Sequence, residues 1–382
     1  MINKNIIGID ASNILAGGGL THLSEILSIS DPAKHRFDKI VIWGSRPTLN
    51  NIEDKSWIIK KNVKQLNGNL FKRLVWQVFK LNKAAINENC TILFIPGGIF
   101  LNRFFPAVLM CQNLLPFEKQ ELIRYFPSII FLRLVLLRFL QSISFKRANG
   151  MIFLSEYAQK QVNKVSNIKG MTTTVAHGIH ERFQMLPKQQ KNICKYNKDK
   201  PFRIIYVSII DEYKHQWHVV EAISMLKEKG IPIALDLIGP ANKTALKKLN
   251  KKIEQLDVDN LWVNYHGPVP FKELHLYLKE AHLGLFASSC ENLPNILIET
   301  MAAGLPMASS NRGPMPEILK NYGIYFDPED PKSISDAVLY LINSPEERER
   351  LSKLSFKESQ TYSWNKCADK TFNFINKVKE QS

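Results

Sequence analysis

Residues 288–317 read SSCENLPNILIETMAAGLPMASSNRGPMPE, and the fold is decided there. Just before them, Leu283-Gly284-Leu285-Phe286 is a short continuous apolar run, the pattern of a strand covered on both faces. Glu291 falls in the loop beyond it. Pro294 suits the first turn of a helix, where its missing N–H costs nothing. The pattern predicts a helix over residues 295–303, stopped by Gly304, with another strand after it. Free N–H groups and the positive end of the helix dipole then lie beside the loop, a place for a phosphate. Carboxylates beside a phosphate are unfavourable unless they bind hydroxyls. Taken singly, Glu291 reads as a helix-start charge and Glu299 as a solvated helix face. Taken together around a phosphate cradle, they suit a nucleotide sugar.

Outward from this segment the same strand-type runs recur. They include Ile6-Ile7-Gly8-Ile9-Asp10, Ile40-Val41-Ile42-Trp43, Ile92-Leu93-Phe94-Ile95, Val108-Leu109-Met110 and Met151-Ile152-Phe153-Leu154. After them come Ile204-Ile205-Tyr206-Val207, Ala234-Leu235-Asp236-Leu237-Ile238 and Leu261-Trp262-Val263. Helical patterns separate most of them, which predicts an α/β protein with parallel sheets. The alternation breaks between Pro187 and Pro201, a stretch carrying Lys188, Lys191, Lys195, Lys198 and Lys200. The expected organisation is a first α/β domain over residues 1–186, a linker over 187–201 and a second α/β domain over 202–362. A C-terminal helix over 363–382 is allowed to cross back to the first domain. Ligands of open parallel sheets bind at the carboxyl ends of strands, so a cleft between the two domains is the expected active site.

Composition limits the partners. The 382 residues include 51 Lys and Arg against 35 Asp and Glu, a formal charge of +16. Apolar residues make up 45%, which excludes a disordered or low-complexity chain. The charge favours nucleotides, nucleic acid or an anionic membrane face. The cysteines, Cys90, Cys111, Cys194, Cys290 and Cys367, are odd in number, widely spaced and form no CxxC. They fit free thiols in a reducing cytosol. Residues 1–10 read as a strand and lack the long apolar region of a signal peptide. The most apolar stretch, residues 129–145, is interrupted by Arg133 and Arg138. It is a poor spanning helix and reads either as a buried helix or as an interfacial one.

The pair Glu291 and Glu299, an E-x7-E, with Ala302-Ala303-Gly304-Leu305-Pro306 behind it, resembles the signature of family-4 glycosyltransferases. The resemblance spans nearly the whole chain and is strongest over about residues 202–330. It implies a retaining, metal-independent enzyme of GT-B fold, two Rossmann-like domains facing across a cleft, with residues 1–186 on the acceptor side and 202–362 on the nucleotide-sugar side. By resemblance, Glu291 contacts hydroxyls of the donor sugar and Glu299 the ribose. The backbone around Asn292, Leu293, Pro294 and Asn295 holds the diphosphate.

Four further pieces are similar to the family pattern. In Tyr206-Val207-Ser208-Ile209-Ile210-Asp211-Glu212-Tyr213-Lys214, Lys214 stands at the position of the diphosphate lysine, against the alternative of a solvated helix-start lysine. Ser208 replaces the usual glycine and Ile209 the usual arginine, so one cation is missing. Gly17-Gly18-Gly19 follows the first strand. His22 stands where a dinucleotide fingerprint needs its third glycine, so that reading fails. The resemblance puts Gly18 and Gly19 near the donor phosphates; otherwise they form a flexible turn. Gln112 and Asn113 occupy the place of a family His-Asp, which excludes a histidine acid/base there. These amides either orient hydroxyls or are buried in a turn. His177, in Val175-Ala176-His177-Gly178-Ile179, replaces a family asparagine and reads equally as a cleft residue or a structural histidine. Glu317 reads as a helix cap.

Metal readings are weak. Asp257-Val258-Asp259 spells D-x-D but follows a lysine-rich helix rather than a buried strand. His177/His180 and His215/His218 lack a third ligand. The expected function is a retaining hexosyltransferase that uses a nucleoside-diphosphate sugar and no metal or other cofactor. The acceptor is a saccharide, expected to be lipid-linked, in lipopolysaccharide O-antigen or capsule assembly. The expected place is the cytoplasm, peripheral on the anionic inner membrane face. No nucleic-acid partner is expected, because basic and aromatic residues are not interleaved. A sugar-nucleotide epimerase and a non-enzymatic anion-binding protein remain as alternatives.

Overall fold

The continuous apolar runs become parallel strands in the computed structural model, which describes residues 4–382. In the first unit these are β1 (Ile6–Asp10), β2 (Lys39–Gly44), β3 (Ile58–Asn62), β4 (Ile92–Ile95), β5 (Ala107–Met110), β6 (Gly150–Phe153) and β7 (Met171–Thr174). They form one sheet in the order β3-β2-β1-β4-β5-β6-β7. The order reverses between β1 and β4, where Ile9 lies beside Phe94. Both central strands are buried along their length, which explains their unbroken apolar sequence.

The second unit holds β8 (Phe202–Val207), β9 (Ile233–Ile238), β10 (Val263–Tyr265), β11 (Leu283–Phe286), β12 (Met307–Ser310) and β13 (Ile324–Phe326). Their order is β10-β9-β8-β11-β12-β13, reversing between β8 and β11. Loops leaving the carboxyl ends of two strands at such a reversal diverge to opposite faces and leave a crevice. Each unit therefore has its own place for a ligand.

The chain changes unit after Gly178 and returns to the first at Ser363. The change-over falls ahead of the lysine-rich stretch, so residues 187–201 are not a linker between units. Arg348 is the reason. Its fully buried guanidinium donates to the carbonyls of Leu341, Ile342 and Lys191 and to Gln190 Oε1. Lys188 also donates to the Lys279 carbonyl. These bonds hold the stretch on the second unit. The helix Trp364–Glu380 packs on the first unit. There Asn376 donates to the His35 carbonyl at 2.7 Å, and the Phe372 ring lies 5.4 Å from that of Phe37.

Residues 129–147 form a helix that buries Leu134, Gln141, Ser144 and Phe145 and exposes most of its other apolar side chains. It is thus neither wholly core nor spanning. Among the described residues, no helix is long and apolar enough to cross a membrane.

Candidate active site

In the second unit two loops meet at the reversal between β8 and β11. The loop after β8 makes a short 3-10 turn over Glu212–Lys214. His215, at φ 54°, then starts the helix Gln216–Glu228. The loop after β11 runs from Ala287 to the helix Asn295–Ala302. The two loops are joined by main-chain and side-chain hydrogen bonds. Ser289 N–H donates to the Tyr213 carbonyl at 2.9 Å, and His215 Nε2 bonds Ser289 Oγ at 2.9 Å. Tyr206 O–H donates to the Lys214 carbonyl at 2.8 Å and fixes the turn from below.

This frame brings Lys214 onto Glu291. Lys214 Nζ donates to Glu291 Oε1. The ammonium lies 5.0 Å from the Tyr213 ring centre and 5.5 Å from that of Phe286. Lys214 is buried, so it is not the solvated helix-start lysine that its sequence context also allowed. A buried ion pair contributes little to stability, because desolvation cancels most of the attraction. The pair sets a cation and a carboxylate side by side at the carboxyl end of a parallel sheet.

Ser208 lies at the foot of the same loop, where its Oγ accepts from Gln216 Nε2 at 2.8 Å. Its hydroxyl therefore holds the loop. Ile209 is partly exposed and leaves the position without a cation. Arg312 does not replace it, since that guanidinium is held by Asp327 and Glu329.

Asn292, Leu293 and Pro294 are buried, and Asn295 is half-buried. Pro294 is the N-cap of the helix rather than its first residue. The Asn295 N–H donates to the Leu293 carbonyl at 2.9 Å, so that group is already used within the loop. Gly304 ends the helix at φ +67°; a Cβ there would lie 2.7 Å from the Met185 carbonyl oxygen. This close approach brings residues 185–187 against the helix end.

Glu299 is a buried carboxylate, not a solvated one. Burial pushes its pKa up to about 8, opposed by the charge of Arg182. Its Oε2 has no hydrogen-bond partner among the described residues. Arg182 was not foreseen from sequence. It lies 4.8 Å from the Phe271 ring centre, and its Nε is also buried without a partner.

Gly18, Gly19, Gln112, Asn113 and His177 belong to the first unit. Gly18 and Gly19 open the helix Gly18–Ile29 rather than forming a free turn. A Cβ on Gly19 would lie 2.4 Å from Gln112 Oε1, so these two residues are neighbours. Asn113 is exposed, and its Oδ1 accepts from Leu115 N–H at 3.1 Å, capping the next turn. His177 is buried and stacks between His22 and Trp364, at 4.8 and 5.6 Å. His22 was also missed. Burial, then the charge of His177, holds it well below the usual histidine range.

Among the described residues no three His, Cys, Asp or Glu side chains cluster to hold a metal. Asp257, from the D-x-D, accepts the N–H groups of Leu261, Trp262 and Val263 at 2.8–3.0 Å. Its oxygens close a turn.

Residues 188–358 match the family model described as "Glycosyl transferases group 1". Among curated proteins, the O-antigen chain mannosyltransferase B of Escherichia coli is 28% identical over 112 residues, 29% of each chain. The spore coat protein SA of Bacillus subtilis is 41% identical over 83 residues, 21% of this chain and 22% of that protein. These matches span less than a third of either relative. Among solved structures, sucrose-phosphate synthase from Thermosynechococcus elongatus superposes with a TM-score of 0.77 at 16% identity, covering 99% of this chain and 100% of that one. Residues 188–358 are thus similar to the glycosyl transferases group 1 model, and the two parallel-sheet units have the fold of GT-B glycosyltransferase structures.

Proposed function

We propose that the protein is a retaining glycosyltransferase that moves a hexosyl unit from a nucleoside-diphosphate sugar to a saccharide acceptor. The observation that carries this reading is the Lys214–Glu291 pair at the reversal of the second sheet. Lys214 turns from Glu291 to the donor diphosphate and stabilises charge as it leaves. Glu291, released, accepts hydrogen bonds from hydroxyls of the donor sugar while positive charge builds on the anomeric carbon. Glu299 accepts from the ribose, and the buried loop from Asn292 to Asn295 cradles the phosphates. Ser208 holds the lysine loop in place. Transfer is front-face: the leaving phosphate oxygen takes the acceptor's proton. Gln112 and Asn113 supply no base. No metal takes part, since the diphosphate is neutralised by Lys214 and helix N–H groups.

The acceptor is a lipid-linked saccharide of a surface polysaccharide, taken at the inner face of the cytoplasmic membrane. Support comes from the name of the O-antigen mannosyltransferase relative and from the basic charge of the chain. A donor screen with purified protein tests the reading, by measuring nucleotide released from each nucleotide sugar with and without saccharide acceptor. Acceptor-dependent release supports transfer. Turnover of the nucleotide sugar without any acceptor would instead favour an epimerase or hydrolase.

A further inference from the structure

Two helices of the first unit carry apolar stripes that no described residue covers. On the helix Leu70–Phe79, Phe71, Val75 and Phe79 recur at spacing four, with Phe71 73% and Phe79 75% exposed. On the helix Ile129–Arg147, Ile129, Leu132 and Leu136 form a second stripe, with Ile129 82% and Leu132 65% exposed. Large apolar side chains this exposed, grouped in stripes, mark an interaction surface. The helices share one face of the unit. Residues 100–102 bond to both: Phe100 N–H donates to Ser144 Oγ and Asn102 Nδ2 donates to the Gln77 carbonyl, each at 2.9 Å.

The charge on these two helices has one sign. Neither helix contains an aspartate or glutamate, whereas Lys72, Arg73, Arg133, Arg138, Lys146 and Arg147 lie on them. Arg73 stands close enough to Arg133 to feel its charge; burial first, and then Arg133, lowers its affinity for the proton. Arg73 Nε is buried with no hydrogen-bond partner among the described residues. Two neighbouring guanidiniums, one with a buried unpartnered donor, are the complement of a phosphate.

We propose that this face docks on an anionic phospholipid bilayer, with a lipid phosphate seated between Arg73 and Arg133 and the two phenylalanines of the Leu70–Phe79 helix inserted beside it. Apolar side chains interspersed with cations suit the headgroup boundary, where the first enter the acyl region and the second meet phosphates. A second copy of the chain is a poor occupant, because it would bring the same cations against each other. The proposal deepens the reading of a lipid-linked acceptor, but its test needs neither donor nor acceptor.

The full chain is sedimented with vesicles of phosphatidylcholine alone and of phosphatidylcholine with phosphatidylglycerol. Wild type is expected to bind only the anionic vesicles. Arg73→Glu/Arg133→Glu should weaken that binding at least about tenfold. Phe71→Ser/Phe79→Ser changes exposed side chains only, and should weaken it comparably while leaving the melting temperature unchanged. Arg133→Glu alone, at an exposed position, serves if the arginine pair fails to fold. Equal binding to both vesicle types, absence of wild-type binding, or binding untouched by the phenylalanine pair would overturn the proposal. So would a wild-type dimer that Phe71→Ser/Phe79→Ser dissociates. Nucleoside diphosphate binding to the same preparation reports on the transferase reading separately: vesicle binding without it leaves docking standing and removes the transferase.

Discussion

Lys214 and Glu291 lie 77 residues apart in sequence, yet their side chains form an ion pair with 8% and 15% side-chain exposure. They meet because β8 and β11 are neighbours at the reversal of the sheet, and each residue sits in the loop leaving its strand. Removing one partner strands the other's charge in a water-poor place. Lys214→Ala should therefore lower stability by up to about 3–5 kcal/mol. Lys214→Met/Glu291→Leu, which removes both charges, should lose clearly less. Urea unfolding of wild type and the two variants measures this.

Donor binding carries the second prediction. Loss of one charged hydrogen bond costs about 1.5–3 kcal/mol, roughly ten- to a hundredfold in affinity. Lys214→Ala and Glu299→Ala should each weaken nucleoside diphosphate binding by that factor in calorimetry, measured where both remain folded. Wild-type affinity in both would remove these residues from the donor site.

Glu299 gives a pH dependence of known sign. Its pKa in the folded protein is raised from 4.5 to about 8 by burial. Between these values the folded state holds a proton that the unfolded state has lost, so stability falls as pH rises through this window. Glu299→Gln should flatten that part of the unfolding free energy plotted against pH, by an amount on the order of a few kcal/mol at the alkaline end. A ribose hydroxyl donating to the carboxylate favours its ionised form. Nucleotide binding should therefore tighten over the same window in wild type and not in the variant.

Asp257 separates a structural role from a metal role. Its carboxylate accepts three main-chain N–H groups. Asp257→Asn loses part of that acceptance and should cost about 1–3 kcal/mol in unfolding. Activity per folded molecule should be unchanged, with or without EDTA. Asp259→Asn should leave both unchanged. A loss of activity restored by manganese would overturn the metal-free account.

The legible part of the fold was its buried part. Strands such as β1, β4, β8 and β11 are covered on both faces and so appear as unbroken apolar runs. The strands that sequence reading missed, β3, β7 and β13, are all sheet edges. Met171-Thr172-Thr173-Thr174 and Ile58-Ile59-Lys60-Lys61-Asn62 are only partly buried and carry the polar residues an edge requires. β10 begins two residues later than its apolar run suggested, because Leu261 is exposed and its N–H is held by Asp257. In the site, the residues of each loop were visible in local sequence, but the pairing of Lys214 with Glu291 was not, since strand order is not written locally. Arg182 and His22 were missed for the same reason. Their significance is their burial, which comes from packing against segments distant in sequence.

The turnover of Glu291→Gln relative to wild type tests the central claim most directly, read as nucleoside diphosphate released from the donor sugar in the presence of acceptor. The substitution keeps the shape of the side chain and removes the charge that faces the developing cation. A contact that strengthens in the transition state affects turnover more than binding. The account predicts turnover lower by about a hundredfold or more, with far smaller change in nucleotide affinity. Full turnover in Glu291→Gln would contradict it.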